Sequence, residues 1–238
     1  MGHFHWVKHI SLYCFLLFLG TEAVCQGYTY KKPDPGGTGK VYMGREIAGV
    51  MGFAGVAWLE RPSRPEEEKT ALAIRELPVD TSGTIADIGA GSGYYSFQIA
   101  KRVPNGKVYA VEIQEEAVRY LMERARKDGH ANVAVVKGTS QSPNLPASSL
   151  DMALLVDVYH ELLYPFEYIQ ALKKCLKRGG KLVLMEYKAE DPSVAIKPLH
   201  KMSVNQVKKE LAAAGFRPVS IGNFLPLQHF LVFEKTDD

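Results

Sequence analysis

Residues 87–93 read Asp-Ile-Gly-Ala-Gly-Ser-Gly, and they lie where an apolar run, Thr84-Ile85-Ala86-Asp87-Ile88, gives way to a helical pattern over 94–102. A glycine-rich turn between a strand and a helix narrows the possible architectures sharply. In an open parallel sheet such a turn borders the crevice in which ligands bind. Glycine there permits positive φ and lets a ligand come close to the backbone.

The flanking sequence supplies the rest of that architecture. Strand patterns are predicted at 84–88, 107–112, 133–136, 152–156, 181–186, 216–221 and 228–233, and helical patterns at 94–102, 115–127, 165–176 and 204–214. Arg178-Gly179-Gly180 is expected to turn the chain into the strand at 181–186, and Pro65-Glu66-Glu67-Glu68 to open a helix running to Leu77. Alternation of strands and helices predicts a doubly wound α/β fold, a largely parallel sheet covered on both faces. With 238 residues, 46% of them hydrophobic, the chain can bury one such core and carry an N-terminal extension.

The loop also discriminates between ligands. A dinucleotide fingerprint, Gly-x-Gly-x-x-Gly, would need a glycine where Tyr94 or Ser96 stands. The Asp87 carboxylate would repel a pyrophosphate, whereas it suits a cofactor carrying an ammonium and a sulfonium. Glu112 closes the next strand, 19 residues after Gly93, where an acid can accept hydrogen bonds from both ribose hydroxyls. Together these features favour S-adenosyl-L-methionine over a nicotinamide cofactor.

With those residues in view, the stretch from 84 to 232 resembles the class I S-adenosylmethionine-dependent methyltransferase family, including its quinone-biosynthesis branch. Asp87, Gly89, Gly91 and Gly93 match the family's cofactor loop, Glu112 its ribose acid, and Arg178-Gly179-Gly180 the turn before its fifth strand. The resemblance implies a sheet of about seven strands, the last antiparallel, with an N-terminal helical lid. It also implies a small-molecule methyl acceptor and a cofactor-binding set of Asp87, Gly89, Ala90, Gly91, Gly93, Glu112, Ile113, Thr139 and Asp157. One departure is visible. The family often has an acid after the third strand for the adenine amino group, and here Gly138-Thr139-Ser140 stands instead. A chain that keeps the cofactor fold without catalysis is the alternative to an enzyme.

The strand at 152–156 runs into Asp157-Val158-Tyr159-His160-Glu161, where such enzymes place residues that face the transferred methyl. His160 is the catalytic candidate, because imidazole is the side chain best matched to proton transfer near neutrality. Its structural alternative is a helix cap or a partner for Tyr159. Asp157 is expected either to hold cofactor or substrate or to cap the strand. His200 and His229 are weaker candidates that can reach the crevice from loops. Arg45, Tyr42 and Trp58 fall in the N-terminal region where this architecture often covers its substrate, Trp58 as a packing residue. His3, His5 and His9 have partial metal-ligand spacing but lie in the first 25 residues, and no metal site is assigned.

Those first 25 residues have their own pattern. Lys8 precedes an apolar stretch from Leu12 to Leu19, and Ala23-Val24-Cys25 offers small residues for cleavage before Gln26. This predicts a secretory signal and an exported protein, periplasmic or secreted; an uncleaved membrane tether or a cytoplasmic chain with a misassigned start is the alternative. Membrane contact is then expected only through that segment. The expected organisation is a signal at 1–25, a linker and lid segment at 26–65 whose stretch 26–39 reads as a linker or mobile arm, and a methyltransferase domain at 66–238. Removing 1–25 leaves Cys175 as the single cysteine, which rules out an internal disulfide and a cysteine-based metal site. A net charge of +3, spread over solvated helix faces, gives no concentrated basic surface for nucleic acid. The pattern is silent on oligomeric state.

Overall fold

The computed structural model of the protein describes residues 1–2 and 27–236, so the expected export signal and its three histidines lie outside the described residues. The chain opens with strands β1 (Thr29–Tyr30), β2 (Gly37–Tyr42) and β3 (Arg45–Ala48), then helices α1 (Val56–Leu59), α2 (Arg64–Glu68) and α3 (Thr70–Arg75). The alternating part follows as β4 (Thr84–Ile88), α4 (Tyr94–Arg102), β5 (Lys107–Glu112), α5 (Glu115–Lys127), β6 (Val133–Lys137), β7 (Leu150–Val156), α6 (Pro165–Cys175), β8 (Leu176–Tyr187), α7 (Val204–Ala213), β9 (Phe216–Gly222) and β10 (Gln228–Lys235).

The main sheet has seven strands in the order β6-β5-β4-β7-β8-β10-β9. Only β10 runs against its neighbours; the pairs from β6 to β8 are parallel. Side chains alternate between the faces, as a pleated strand requires. Ala86, Ile88, Ala153 and Leu155 pack with Ile169 and Leu172 of α6 and Val207 and Leu211 of α7. Ile85, Val108, Met152 and Leu154 pack on the opposite face with Ala73 and Ile74 of α3 and Tyr95 and Ile99 of α4. The sheet is therefore doubly wound, as expected. Its switch point falls between β4 and β7, where the chain changes direction of winding and a crevice must open.

Three local expectations differ. The stretch 26–39 is expected as a linker or mobile arm; its described part, 27–39, supplies β1 and the start of β2 in a three-stranded antiparallel sheet. The buried Glu46 carboxylate holds that turn by accepting the Gly39 N–H at 2.7 Å and pairing with Lys31 at 2.7 Å. The covering segment is thus more strand than helix, with only Phe53–Gly55 and α1 helical. The helix expected over 65–77 breaks at Lys69, which takes a left-handed φ of 51°. Glu68 is there turned inward, fully buried against Arg61, Arg64 and Tyr187. Finally, Arg178-Gly179-Gly180 lies inside β8 as an irregularity in its pairing with β7, not as a turn before the strand.

The N-terminal sheet is clamped to the main domain through one buried ion pair. Arg45 on β3 reaches both oxygens of Glu210 on α7, at 2.6 and 3.0 Å, and donates to the His160 carbonyl at 3.1 Å. Tyr159 donates its hydroxyl to the same carboxylate at 2.8 Å. Removing Arg45 leaves a fully buried carboxylate without its counter-charge, so Arg45→Ala is expected to cost about 3–5 kcal/mol. The Arg45→Ala/Glu210→Leu double variant is expected to recover much of that loss in urea denaturation; a double variant no more stable than the single one would show that the pair is not the clamp.

Candidate active site

The glycine loop folds as its composition requires. Gly89, Gly91 and Gly93 have φ of 68°, 56° and 82°, a region that side chains with a Cβ enter only at a cost. The loop is tied down from β5, because Gly89 and Ala90 both donate to the Val111 carbonyl, at 2.9 and 3.0 Å. Glu112 adds a second tie. Its Oε2 accepts the Gly91 N–H at 3.0 Å, while Oε1 accepts those of Ile113 and Gln114 at 2.6 and 3.0 Å. The strand-end acid and the loop thus form one unit.

A cleft of about 830 Å³ opens over the switch point. That volume is near the top of the range of about 300–1,000 Å³ found for ligand pockets. On the β5 and β6 side it is lined by Gly89, Gly91, Glu112, Ile113, Gly138, Thr139 and Ser140. On the β7 side it is lined by Asp157, His160, Glu161 and His200, and its roof comes from Val50, Met51, Phe53, Val56, Trp58 and Leu59 of the N-terminal segment. Trp58, expected to pack, is 47% exposed and stacks under Arg61, whose guanidinium lies 3.8 Å from the ring.

Asp87 lies beneath the loop rather than on the cleft wall. It borders a side chamber of about 30 Å³ shared with Ala90, Arg64, Ser92 and Tyr95. The Ser92 and Tyr95 hydroxyls are buried there without a hydrogen-bond partner. Asp87 Oδ2 accepts the Ser96 hydroxyl at 2.6 Å. Burial pushes its pKa up to about 6, against the hydrogen bonds from Ser96 and the charge of Arg64, which pull it down.

Across the switch point, Asp157 takes a left-handed φ of 53°, a strained setting of the kind that clusters at functional sites. Its Oδ2 accepts from Gln228 at 2.7 Å, and its Oδ1 is buried with no partner. Burial, then the nearby Glu68 and Glu186 charges, hold this carboxyl well above the usual range. His160 is 2% exposed and bonded at both ring nitrogens. Nδ1 lies 2.6 Å from Oε2 of the fully buried Glu186, and Nε2 lies 3.1 Å from His200 Nδ1. Glu186 Oε1 already accepts the N–H groups of Val158 and Tyr159, at 3.1 and 2.7 Å.

The structure therefore gathers Gly89, Gly91, Glu112, Ile113, Thr139, Asp157 and His160 around one cleft. It does not bring Asp87, Ala90 or Gly93 to the wall; Gly93 faces Phe97 and Leu121, and the other two line the side chamber. His160 neither caps a helix nor merely packs on Tyr159. His200 joins it, whereas His229 is paired with Glu190 at 2.8 Å and lies off the cleft. Arg45 and Tyr42 do not line the cleft either. Sequence reasoning missed the roles of Glu161 and Glu186. Glu161 sits beside His160 in the chain, but nothing in the pattern marks residue 186 as the partner of 160.

Comparison with known proteins agrees with this fold. The family described as "Methyltransferase domain" matches residues 80–220, more than half of the chain. The chain is 25% identical over 148 residues to the uncharacterized methyltransferase YdaC of Bacillus subtilis, covering 62% of this chain and 79% of that protein. It is 24% identical over 115 residues to the ubiquinone/menaquinone biosynthesis C-methyltransferase UbiE of Syntrophotalea carbinolica, spanning 48% of each. Among solved structures, a SAM-dependent methyltransferase from Aquifex aeolicus superposes with a TM-score of 0.73 at 28% identity, covering 77% of this chain and 98% of that one.

The buried Asp87 generates a test of its own. Its folded pKa, about 6, lies above the ordinary value of 3.8. The folded state therefore holds the proton more tightly than the unfolded state does. Stability from this group is present below about pH 4 and lost as pH rises through about 6, a loss of about 3 kcal/mol. Asp87→Asn does not titrate, so it is expected to be more stable than wild type at pH 7 and to lose that advantage at pH 4. Urea midpoints at pH 4, 5 and 7 measure the difference; an offset independent of pH would reject the burial account.

Proposed function

The chain belongs to the class I S-adenosylmethionine-dependent methyltransferase family, and on that premise we propose that it methylates a small molecule at a hydroxyl or amine held against His160. The observation that carries this reading is the single cleft shared by the Glu112-tied glycine loop and the buried His160–Glu186 pair.

The residues present fit S-adenosylmethionine. The glycine loop meets the cleft as bare backbone, with Leu59 of the roof close over it: a Cβ on Gly91 would come within 2.7 Å of Leu59 Cδ1. After accepting three N–H groups, Glu112 keeps one acceptor site, on Oε2, for a ribose hydroxyl. Ile113, 44% exposed, offers an apolar surface to the adenine, and Thr139 offers a hydroxyl and backbone groups to its edge. The orphan Asp157 Oδ1 is a ready acceptor for the ammonium group, with Asp87 adding negative charge from below. When bound, the cofactor supplies a methyl group made electrophilic by the sulfonium.

The chain's own work is positioning and proton handling, since in-line alignment accounts for much of the rate in such a displacement. The Val50–Leu59 roof and Leu162, Leu163 and Ile196 give the acceptor an apolar bed that excludes water. Glu186 is fixed by two backbone donors, so its second oxygen takes the Nδ1 proton of His160 and sets the tautomer. The Nε2 lone pair, which faces His200 Nδ1 at 3.1 Å, then receives the acceptor's proton once the acceptor takes the place of that contact.

Two expected outcomes check this reading. Wild-type protein binds S-adenosylmethionine and S-adenosylhomocysteine in calorimetry, and Gly91→Val, folded by circular dichroism, binds neither; retained binding would contradict the cofactor assignment. Once an acceptor has been found by screening, His160→Ala is expected to lower turnover by about 10²–10⁴-fold with cofactor affinity nearly unchanged. Equal turnover in the two proteins would remove His160 from the chemistry.

A further inference from the structure

The β7 side of the cleft gathers three lone-pair donors from two stretches 40 residues apart. His160 Nε2 and His200 Nδ1 are 3.1 Å apart, His200 Nδ1 and Glu161 Oε1 are 3.4 Å apart, and His160 Nε2 and Glu161 Oε1 are 3.8 Å apart. Among the described residues this is the one group of three such side chains close enough to share an ion. In a tetrahedral site with bonds of about 2.1 Å, neighbouring ligand atoms lie about 3.4 Å apart. The three observed separations bracket that value.

The surroundings resemble those of a metal-ligating histidine. Such a histidine commonly donates its second ring N–H to a carboxylate, which orients the ring and raises its basicity. Glu186 does this for His160 at 2.6 Å, and is itself fully buried and anchored by two backbone N–H groups. With that proton committed, Nε2 presents a lone pair. A proton on His200 Nδ1 can satisfy His160 or Glu161, not both well, whereas a cation at the centre of the triangle would satisfy all three. Glu161 is steadied by the Met51 N–H, which donates to its Oε1 at 3.1 Å.

We propose that His160, Glu161 and His200 bind a first-row divalent transition cation of the zinc type, with the remaining coordination position open to the cleft. Two imidazoles and one carboxylate with an open position is a donor set typical of catalytic rather than structural sites. The proposal rests on reading this end of the cleft as the acceptor end, and it narrows the acceptor to a molecule with a hydroxyl. Its oxygen takes the open position, where the cation makes the O–H bond more acidic and the proton leaves to water. The freed oxygen pair then forms the new O–CH₃ bond, while the S–CH₃ bond breaks and its electron pair stays on sulfur as a neutral thioether. With the ion bound, the His160 lone pair is a ligand, and the cation takes over the task that His160 otherwise performs alone.

The test uses the full chain without an affinity tag, stripped with a chelator and titrated with Zn²⁺ by calorimetry, with Co²⁺ absorption reporting the coordination. Wild type is expected to bind one equivalent that is lost in both Glu161→Gln and His200→Ala, and that weakens by about 10–100-fold in Glu186→Gln. His229→Ala, whose histidine lies off the cleft, is expected to bind as wild type does. Ions bound equally by wild type, Glu161→Gln and His200→Ala would belong elsewhere, for example to His3, His5 and His9, and would overturn the proposal, as would no binding at all. If no ion binds but His160→Ala still loses turnover, the metal site alone falls and His160 stands as the base. If the cofactor fails to bind while Zn²⁺ does, the failure lies with the functional reading instead.

Discussion

Loops that leave the C-terminal edge of a buried parallel sheet carry backbone N–H groups with no strand to pair with, and those donors must find acceptors. In this protein buried carboxylates at the strand ends take the role. Glu112, at the end of β5, accepts the N–H groups of Gly91, Ile113 and Gln114. Glu186, near the end of β8, accepts those of Val158 and Tyr159 together with the His160 ring. Each acid reaches sideways from its own strand to the loop of a neighbour, so the two walls of the cleft are set by cross-strand bonds rather than by the loops themselves.

Two further acids on the same edge are less well satisfied. Asp87 is buried and Asp157 half-buried on the cleft wall; both have their protons held more tightly by burial, and Asp157 keeps one oxygen without a partner. Burying a carboxyl in this way lowers the stability of the folded chain, so its presence at a ligand crevice points to a role in binding positive charge. The cationic cofactor of the family is the natural counterpart. Stability is recovered elsewhere, in the two hydrophobic layers over the sheet and in the Arg45–Glu210 clamp that seats the roof.

The roof matters because it converts an open sheet edge into an enclosed cleft. Residues 50–59 are apolar but form no long helix; they are held by short contacts such as Phe53 N–H to Gln114 Oε1 at 2.9 Å and Met51 N–H to Glu161 Oε1 at 3.1 Å. Both acceptors belong to loops that line the cleft. Roof and floor are therefore linked through the same residues that would meet cofactor and acceptor.

Most of the architecture was legible in the residues taken singly. Periodicity placed α4, β4, β5 and α5 to the residue, because each is bounded by a glycine, proline or acid that stops it, and the loop at 87–93 with Glu112 pointed to the cofactor class because that chemistry is local in the chain. What the pattern misjudged depended on distant partners. The arm at 26–39 pairs as strand because Glu46 draws it in, and the helix at 65–77 breaks because Glu68 turns toward Arg61, Arg64 and Tyr187. The acceptor end shows the same division more sharply. His160 alone was a plausible base, but its meeting with Glu186, 26 residues on, and His200, 40 residues on, follows from the parallel pairing of β7 with β8 and from the return of the chain to the β8 end at Met202. Local sequence specifies which groups are available and what each can do by itself. Only the tertiary structure decides which of them share a lone pair, a proton or an ion, because those interactions act over a few ångströms of space and are blind to separation along the chain.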